Sequence, residues 1–204
     1  WILPVAVGLI AAAIALARIT TSGKFGKVMW AEDGYHFLSC AVDPGGLSCI
    51  FEPIESYLLV VPRIVSMPMG VIDISNSAAW AEVVSCTLAG ITAAFVTWRA
   101  RTFPFGPWVS GATGLSIVML AIFGAEVLGS IANAQWFLVA IALWALLPKL
   151  ASKSSDGTAI VDTIAVLLVG LTSPGTFCLA PFALWRYFAS KPGSRSIFRP
   201  TLQQ

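Results

Sequence analysis

The apolar residues of this chain fall in long blocks separated by short polar or basic stretches. A helix needs roughly 20 apolar residues to cross about 30 Å of hydrocarbon. Five blocks reach or approach that length. The first covers about residues 2–19, and the second covers 77–98 with Glu82 near its start. The third, 105–124, is uncharged. The fourth, 131–147, follows a polar step that holds Glu126, Asn133 and Gln135. The last, 163–185, is uncharged but carries Ser173-Pro174-Gly175 in its middle.

Basic residues set an orientation. Arg99 and Arg101 follow the second block, Lys149 and Lys153 the fourth, and Arg186, Lys191, Arg195 and Arg199 the last. A positive-inside arrangement places all eight on the cytoplasmic side. A single span over the last block would put its basic flank outside. A turn at Ser173-Pro174-Gly175 restores the rule by dividing the block into arms of about 159–172 and 176–188, each roughly 21 Å long at 1.5 Å per residue. We read it as such a hairpin of partial helices buried against protein; the simpler alternative is a proline kink in one span.

Between the first two blocks, residues 20–76 form a segment too long for a plain connector. It holds Phe37, Leu38, Ile50, Phe51 and the stretch Tyr57-Leu-Leu-Val-Val-Pro62. Such pieces lie along a membrane surface as interfacial helices. The expected architecture is therefore an all-α polytopic membrane protein forming one membrane domain over 1–204. It has about six transmembrane or partial helices, with interfacial helices in a long first outer loop. The chain opens on Trp1 within an apolar run that lacks a basic flank and a cleavage site, so this run reads as a membrane span and not a signal peptide. Both ends look trimmed.

Composition sharpens the class. The chain is 57% hydrophobic and 11% charged, with mean hydropathy +0.85, whereas soluble domains carry about 25% charged residues. That excludes an ordinary cytosolic enzyme and a disordered chain. The net charge of +2 does not suggest nucleic acid as a partner.

Several side chains suit chemistry. Glu32 and Asp33 are adjacent carboxylates placed just after the first span; one could serve as a general base, or the pair could mark a solvated Asp-Gly turn. Arg63 in Val61-Pro62-Arg63 suits a phosphate clamp, and equally a cation that reaches back to water. Asn133 and Gln135 suit sugar hydroxyls or polar pairing between helices. Trp136 suits stacking on a sugar ring or an interfacial anchor. Ser173-Pro174-Gly175 could open a half-helix with free N–H groups for an anion. Cys40 and Cys49 flank Asp43-Pro-Gly-Gly, and a disulfide between them is permitted outside the cytoplasm. Cys86 and Cys178 read as small apolar fillers. His36 is the single histidine, so a zinc cluster is not expected.

Four stretches in order resemble a known family. They are Trp30-Ala-Glu-Asp-Gly-Tyr-His-Phe37, Pro53-Ile-Glu-Ser-Tyr-Leu-Leu-Val-Val-Pro-Arg63, Asn133-Ala-Gln-Trp136 and Leu171-Thr-Ser-Pro174. Together they resemble the GT-C superfamily of integral-membrane glycosyltransferases, in its bacterial members. The resemblance implies an enzyme in the bacterial cytoplasmic membrane whose active site faces outside. Its donor would be a polyprenyl-phosphate-linked sugar and its acceptor a cell-envelope glycan or lipid, with inversion at the sugar. It implies Asp33 as the first choice of base and Glu32 as the second, Arg63 on the donor phosphate, and sugar contacts from Asn133, Gln135 and Trp136. No cofactor is required, and a divalent metal, used by some members, is not indicated. Superfamily enzymes are usually longer with more helices, so the chain reads as an N-terminal portion or a reduced relative. Two other readings stay open: a small membrane transporter, to which Glu82 and the broken last block point, and a non-catalytic subunit of an envelope-assembly complex.

Overall fold

The computed structural model describes residues 1–43, 46–54, 57–104, 106–120, 124–147 and 156–190. The described residues are helical apart from turns and one isolated bridge between Ile54 and Tyr57. The α-helices are α1 (Ile2–Thr21), α2 (Ser39–Val42), α3 (Val60–Ser66), α4 (Ser77–Ala100), α5 (Pro107–Met119), α6 (Ala125–Gly129), α7 (Ala134–Leu146), α8 (Asp156–Gly170) and α9 (Ala180–Ser190). Single tight turns of helix fill much of the rest, including Gly46–Phe51 and Pro174–Leu179.

Local sequence explains the main boundaries. Pro4 sits in the first turn of α1, where its missing N–H costs no helical bond. The chain leaves α1 through Gly23 and Gly26, both at positive φ (71° and 68°), a region that side chains with a Cβ disfavour. Before α4, the Asp73 carboxylate accepts from the Ser75 N–H at 2.8 Å. Gly106-Pro107 opens α5 with proline at its first position.

Among the described residues two helical stretches are long and apolar enough to cross a membrane, Ile2–Thr21 and Ile74–Ala100. The other expected spans are shorter. Helices α5, α7 and α8 have 13, 13 and 15 residues, or about 20–22 Å at 1.5 Å per residue, short of the roughly 30 Å core of a bilayer. The third block ends as helix at Met119, and residues 121–123 lie outside the described residues. So do Lys149, Lys153, Lys191, Arg195 and Arg199, which entered the orientation reading.

The helices pack through a seam of small residues. Gly8 on α1 meets Gly90 and Ala94 on α4 so closely that a Cβ on Gly90 would stand 2.7 Å from the Gly8 carbonyl oxygen. A Cβ on Gly114 of α5 would overlap Thr97 and the Ala93 carbonyl oxygen. Ala11, Ala15, Ala89 and Ala93 continue the seam into the main core, where Phe137 and Leu128 also pack. Small residues let backbones approach, which is how apolar helices associate when lipid offers no hydrophobic advantage.

Polar ties set helix direction. The Trp1 and Trp98 rings stack with centroids 5.7 Å apart, so α1 and α4 are antiparallel. Arg18 at the end of α1 donates to the Val118 carbonyl at 2.5 Å, near the end of α5, so these two are parallel. Ser85 donates to the Ser130 carbonyl just before α7, and Arg99 to the carbonyls of Trp144, Ala145 and Leu147 at its end. Helices α4 and α7 are therefore parallel too. The Arg99 guanidinium also pairs with Asp162 of α8 at 3.4 Å, with both side chains buried. Arg99 thus closes the carbonyl end of α7, a role that its reading as a topogenic flank did not include.

The last block does break near Ser173-Pro174-Gly175. Helix α8 stops at Gly170, Leu171–Ser173 are non-helical, and a tight turn of helix leads into α9. Both arms rest on α7 more than on each other, so they do not form a close-packed hairpin.

The seam yields a prediction. Gly90→Leu forces α1 and α4 apart and is expected to destabilise by about 1–3 kcal/mol or more, as overpacking does. Gly106→Ala, where nothing lies within 4 Å of the new Cβ, leaves stability unchanged. Thermal unfolding in detergent micelles checks both; equal melting temperatures for Gly90→Leu and wild type would refute the close approach.

Candidate functional site

One end of the bundle gathers the ends of α1, α5 and α8, the starts of α4 and α7, and the segment between α1 and α4. The candidate site residues with described side chains, Glu32, Asp33, Arg63, Asn133 and Gln135, lie at this end. Glu126 belongs to α6, but its side chain lies outside the described residues.

Asp33 is the organising group. It begins a widened helical turn, Asp33–Leu38, and is fully buried. Its Oδ1 accepts from the Ser130 hydroxyl at 3.0 Å and from the Ala132 N–H at 2.9 Å. Its Oδ2 accepts from the Ile131 N–H at 3.1 Å. The carboxylate therefore fastens the first loop to the strap that enters α7. Burial raises its pKa to about 6; the donors of Ala132, Ile131 and Ser130 pull it down, and the negative charge of Glu32 adds to the rise. The first-choice base of the sequence reading is thus turned into the protein.

Glu32 has the opposite placement. It is exposed and lines a cavity of about 200 Å³ together with His36, Tyr57, Asn133 and Gln135. Asn133 and Gln135 come to this cavity because Asp33 holds the strap just before them. Trp136 is 51% exposed and does not line it.

Arg63 faces a second cavity of about 680 Å³, lined also by His36, Ser39, Asp43 and Glu52. His36 borders both cavities, so they adjoin. Helix α3 is held firmly. Trp80 Nε1 donates to the Val65 carbonyl at 3.0 Å, and the Val61 N–H donates to Thr172 Oγ1 at 3.3 Å. The Arg63 side chain is only 4% exposed, and neither Nε nor Nη1 has a hydrogen-bond partner. Burial lowers its pKa, and the carboxylate of Glu52 opposes that shift. A buried guanidinium without acceptors is costly, and the anions that satisfy it best are carboxylate and phosphate.

Cys40 and Cys49 form a disulfide with Cα atoms 5.8 Å apart. Both line the Arg63 cavity, so the bond clasps its wall. The Ser173 hydroxyl accepts from the Gly175 N–H at 3.2 Å. The turn that follows, Pro174–Leu179, leads directly into α9. Glu82 accepts from the Gly26 N–H at 2.7 Å and ties α4 to the turn after α1.

Sequence reasoning gave His36 and Glu52 no role and did not see Ser130. Ser130 is 97 positions from Asp33, and nothing in its neighbours marks it. Glu52 lay close to the cysteine pair, a signal available in the sequence. Among the described residues no group of three or more His, Cys, Asp or Glu side chains is placed to hold a metal ion.

Two predictions follow from Asp33 and the disulfide. Because the folded pKa of Asp33, about 6, lies above its ordinary 3.8, the folded state binds its proton more tightly. Its contribution to stability is complete below about pH 4 and is lost as pH rises through 6, a change of about 3 kcal/mol. Unfolding in detergent between pH 4 and 7 should show this component in wild type and not in Asp33→Asn; identical slopes would refute it. Maleimide labelling of the denatured protein should modify Cys86 and Cys178 at once, and Cys40 and Cys49 only after reduction. Comparison with known proteins adds no name to this site: no protein-family model, curated protein or solved structure matches the chain.

Proposed function

We propose that the chain is a multi-pass protein of the bacterial cytoplasmic membrane that transfers a sugar from a polyprenyl-phosphate donor to a glycan or lipid acceptor, with its site facing outside. The observation that carries the reading is the buried guanidinium of Arg63, whose Nε and Nη1 have no hydrogen-bond partner, on a cavity adjoining a second one that holds a carboxylate and two amides. The resemblance of four sequence elements to GT-C glycosyltransferases points the same way. The shorter helices α5, α7 and α8 pass partway through the bilayer or tilt within it, covered by the longer ones.

In this reading Arg63 holds the donor phosphate, and Asn133 and Gln135 hydrogen-bond the sugar. Glu32, not Asp33, is the base, because it is the member of the pair that meets the cavity. Glu32 takes the proton of the acceptor hydroxyl. The freed oxygen forms a bond to the anomeric carbon as the carbon–oxygen bond to phosphate breaks, and the lipid phosphate departs with that electron pair. Arg63 stabilises the charge it gains. Asp33 acts through the strap and is a positioning residue. The alternatives, a small transporter and a non-catalytic envelope subunit, have no site observation of their own, since Glu82 is taken up by its bond to Gly26.

The test is a transfer assay in membranes with labelled polyprenyl-phosphate sugars and an envelope extract as acceptor. Glu32→Gln is expected to lower kcat by about 10²–10⁴-fold, the range of general base catalysis, in a protein that folds normally. Arg63→Gln should raise the KM for donor and lower kcat. Asp33→Asn should lower the yield of folded protein more than the turnover of what folds. A folded Glu32→Gln variant with full turnover removes Glu32 from the mechanism. No transfer from any donor removes the enzyme reading and favours a transporter or a subunit.

A further inference from the structure

The Arg63 cavity is not a simple anion pocket. Among the described residues its lining holds one guanidinium and two carboxylates, Glu52 and Asp43, both exposed residues close in sequence to the Cys40–Cys49 disulfide. Glu52 lines the same cavity and its negative charge opposes the lowering of the Arg63 pKa, yet among the described residues no carboxylate stands within ion-pair distance of that guanidinium. Cation and carboxylate therefore face one cavity of about 680 Å³ without neutralising each other.

Charge decides what fits. A ligand carrying phosphate alone gains from Arg63 and is opposed by the carboxylates of Glu52 and Asp43. A ligand carrying only a cation suits the carboxylates but leaves Arg63 buried and without acceptors. A ligand with both, a phosphate ester and an amine a few bonds apart, satisfies the guanidinium and meets the carboxylates with an ammonium. Like-charge contacts reject the wrong partner as strongly as opposite charges select the right one. The Cys40–Cys49 bond holds the wall in place, so little ordering is needed on binding.

We propose that this cavity binds an amine-bearing phosphate ester, with phosphate on Arg63 and ammonium on Glu52 and Asp43. This rests on the reading of Arg63 as the phosphate-binding group and narrows its ligand: within the transfer reaction, the substrate held here is an aminated phosphate ester and not a neutral one. The same chemistry occurs in a lipid headgroup and in a small soluble ester.

The experiment measures binding to the purified full chain in detergent by isothermal titration calorimetry. The probes are dihexanoyl phosphatidylethanolamine, dihexanoyl phosphatidylglycerol and soluble O-phosphoethanolamine. The expected result is about tenfold tighter binding of the ethanolamine lipid than of the glycerol lipid, a factor equal to about 1.4 kcal/mol. O-phosphoethanolamine binding as well as the lipid assigns the site to the free ester; binding far more weakly assigns it to a lipid headgroup. Glu52→Gln, an exposed substitution that the fold tolerates, should remove the preference while leaving phosphatidylglycerol binding intact or stronger. Arg63→Gln should weaken both lipids, and Arg63→Lys, which keeps the charge, should restore part of the binding if the loss is not a folding defect. Equal affinity for the two lipids, or a preference that survives Glu52→Gln, overturns the amine assignment alone. Binding unchanged in a folded Arg63→Gln variant overturns the phosphate assignment and with it the role of Arg63 in transfer.

Discussion

The carboxylate of Asp33 is the joint on which this end of the protein depends. Removing a carboxylate from water is unfavourable, and it is tolerated here because three donors replace the lost hydration. Each of those donors would otherwise be an unsatisfied polar group within the bundle. The interaction thus binds the first loop and the strap before α7 to each other, and neither is well placed alone. Everything proposed for the site inherits this arrangement: Glu32 is held at the cavity because its neighbour points inward, and Asn133 and Gln135 reach the same cavity because the strap is fastened.

A second bracket works at the opposite end. Arg99 donates to three carbonyls of the last turn of α7 and pairs with Asp162. The two brackets share a logic. In a bundle with so few charges, a buried ion is retained where it satisfies backbone groups that a helix end or a strap leaves open. Between the brackets the contact is made by glycine and alanine, which lets α1 and α4 meet backbone to backbone. Rigid ends and a close seam explain how short helices α5, α7 and α8 keep their places beside the two long ones.

Arg63 follows the opposite rule. Its side chain is buried, though less deeply than those of Arg99 and Asp33, and its Nε and Nη1 have no acceptor. Arg99 and Asp162 at least pair with each other, whereas Arg63 lines a cavity with no ion-pair partner among the described residues. That contrast, more than any motif, is what separates Arg63 from a cation that merely reaches for water.

Much of this was legible in the sequence. Uninterrupted apolar blocks specify helices, and five such blocks read as spans or near-spans; only α1 and α4 keep the length to cross a membrane among the described residues. Ser173-Pro174-Gly175 announced a break, because a proline in the interior of a helix removes a hydrogen bond and clashes with the preceding turn. Cys40 and Cys49, on either side of Asp43-Pro-Gly-Gly in the sequence, permitted the disulfide that the structure forms. These are local effects, set by neighbours along the chain. The division of labour between Glu32 and Asp33 was not legible, because adjacent residues of the same chemistry differ only in what a distant strap offers them. Nor was the loss of Trp136 from the cavity, the bond from Glu82 to Gly26, or the use of Arg99 to close α7. Each depends on pairs separated by tens of residues, and only the packing of the helices decides which groups meet.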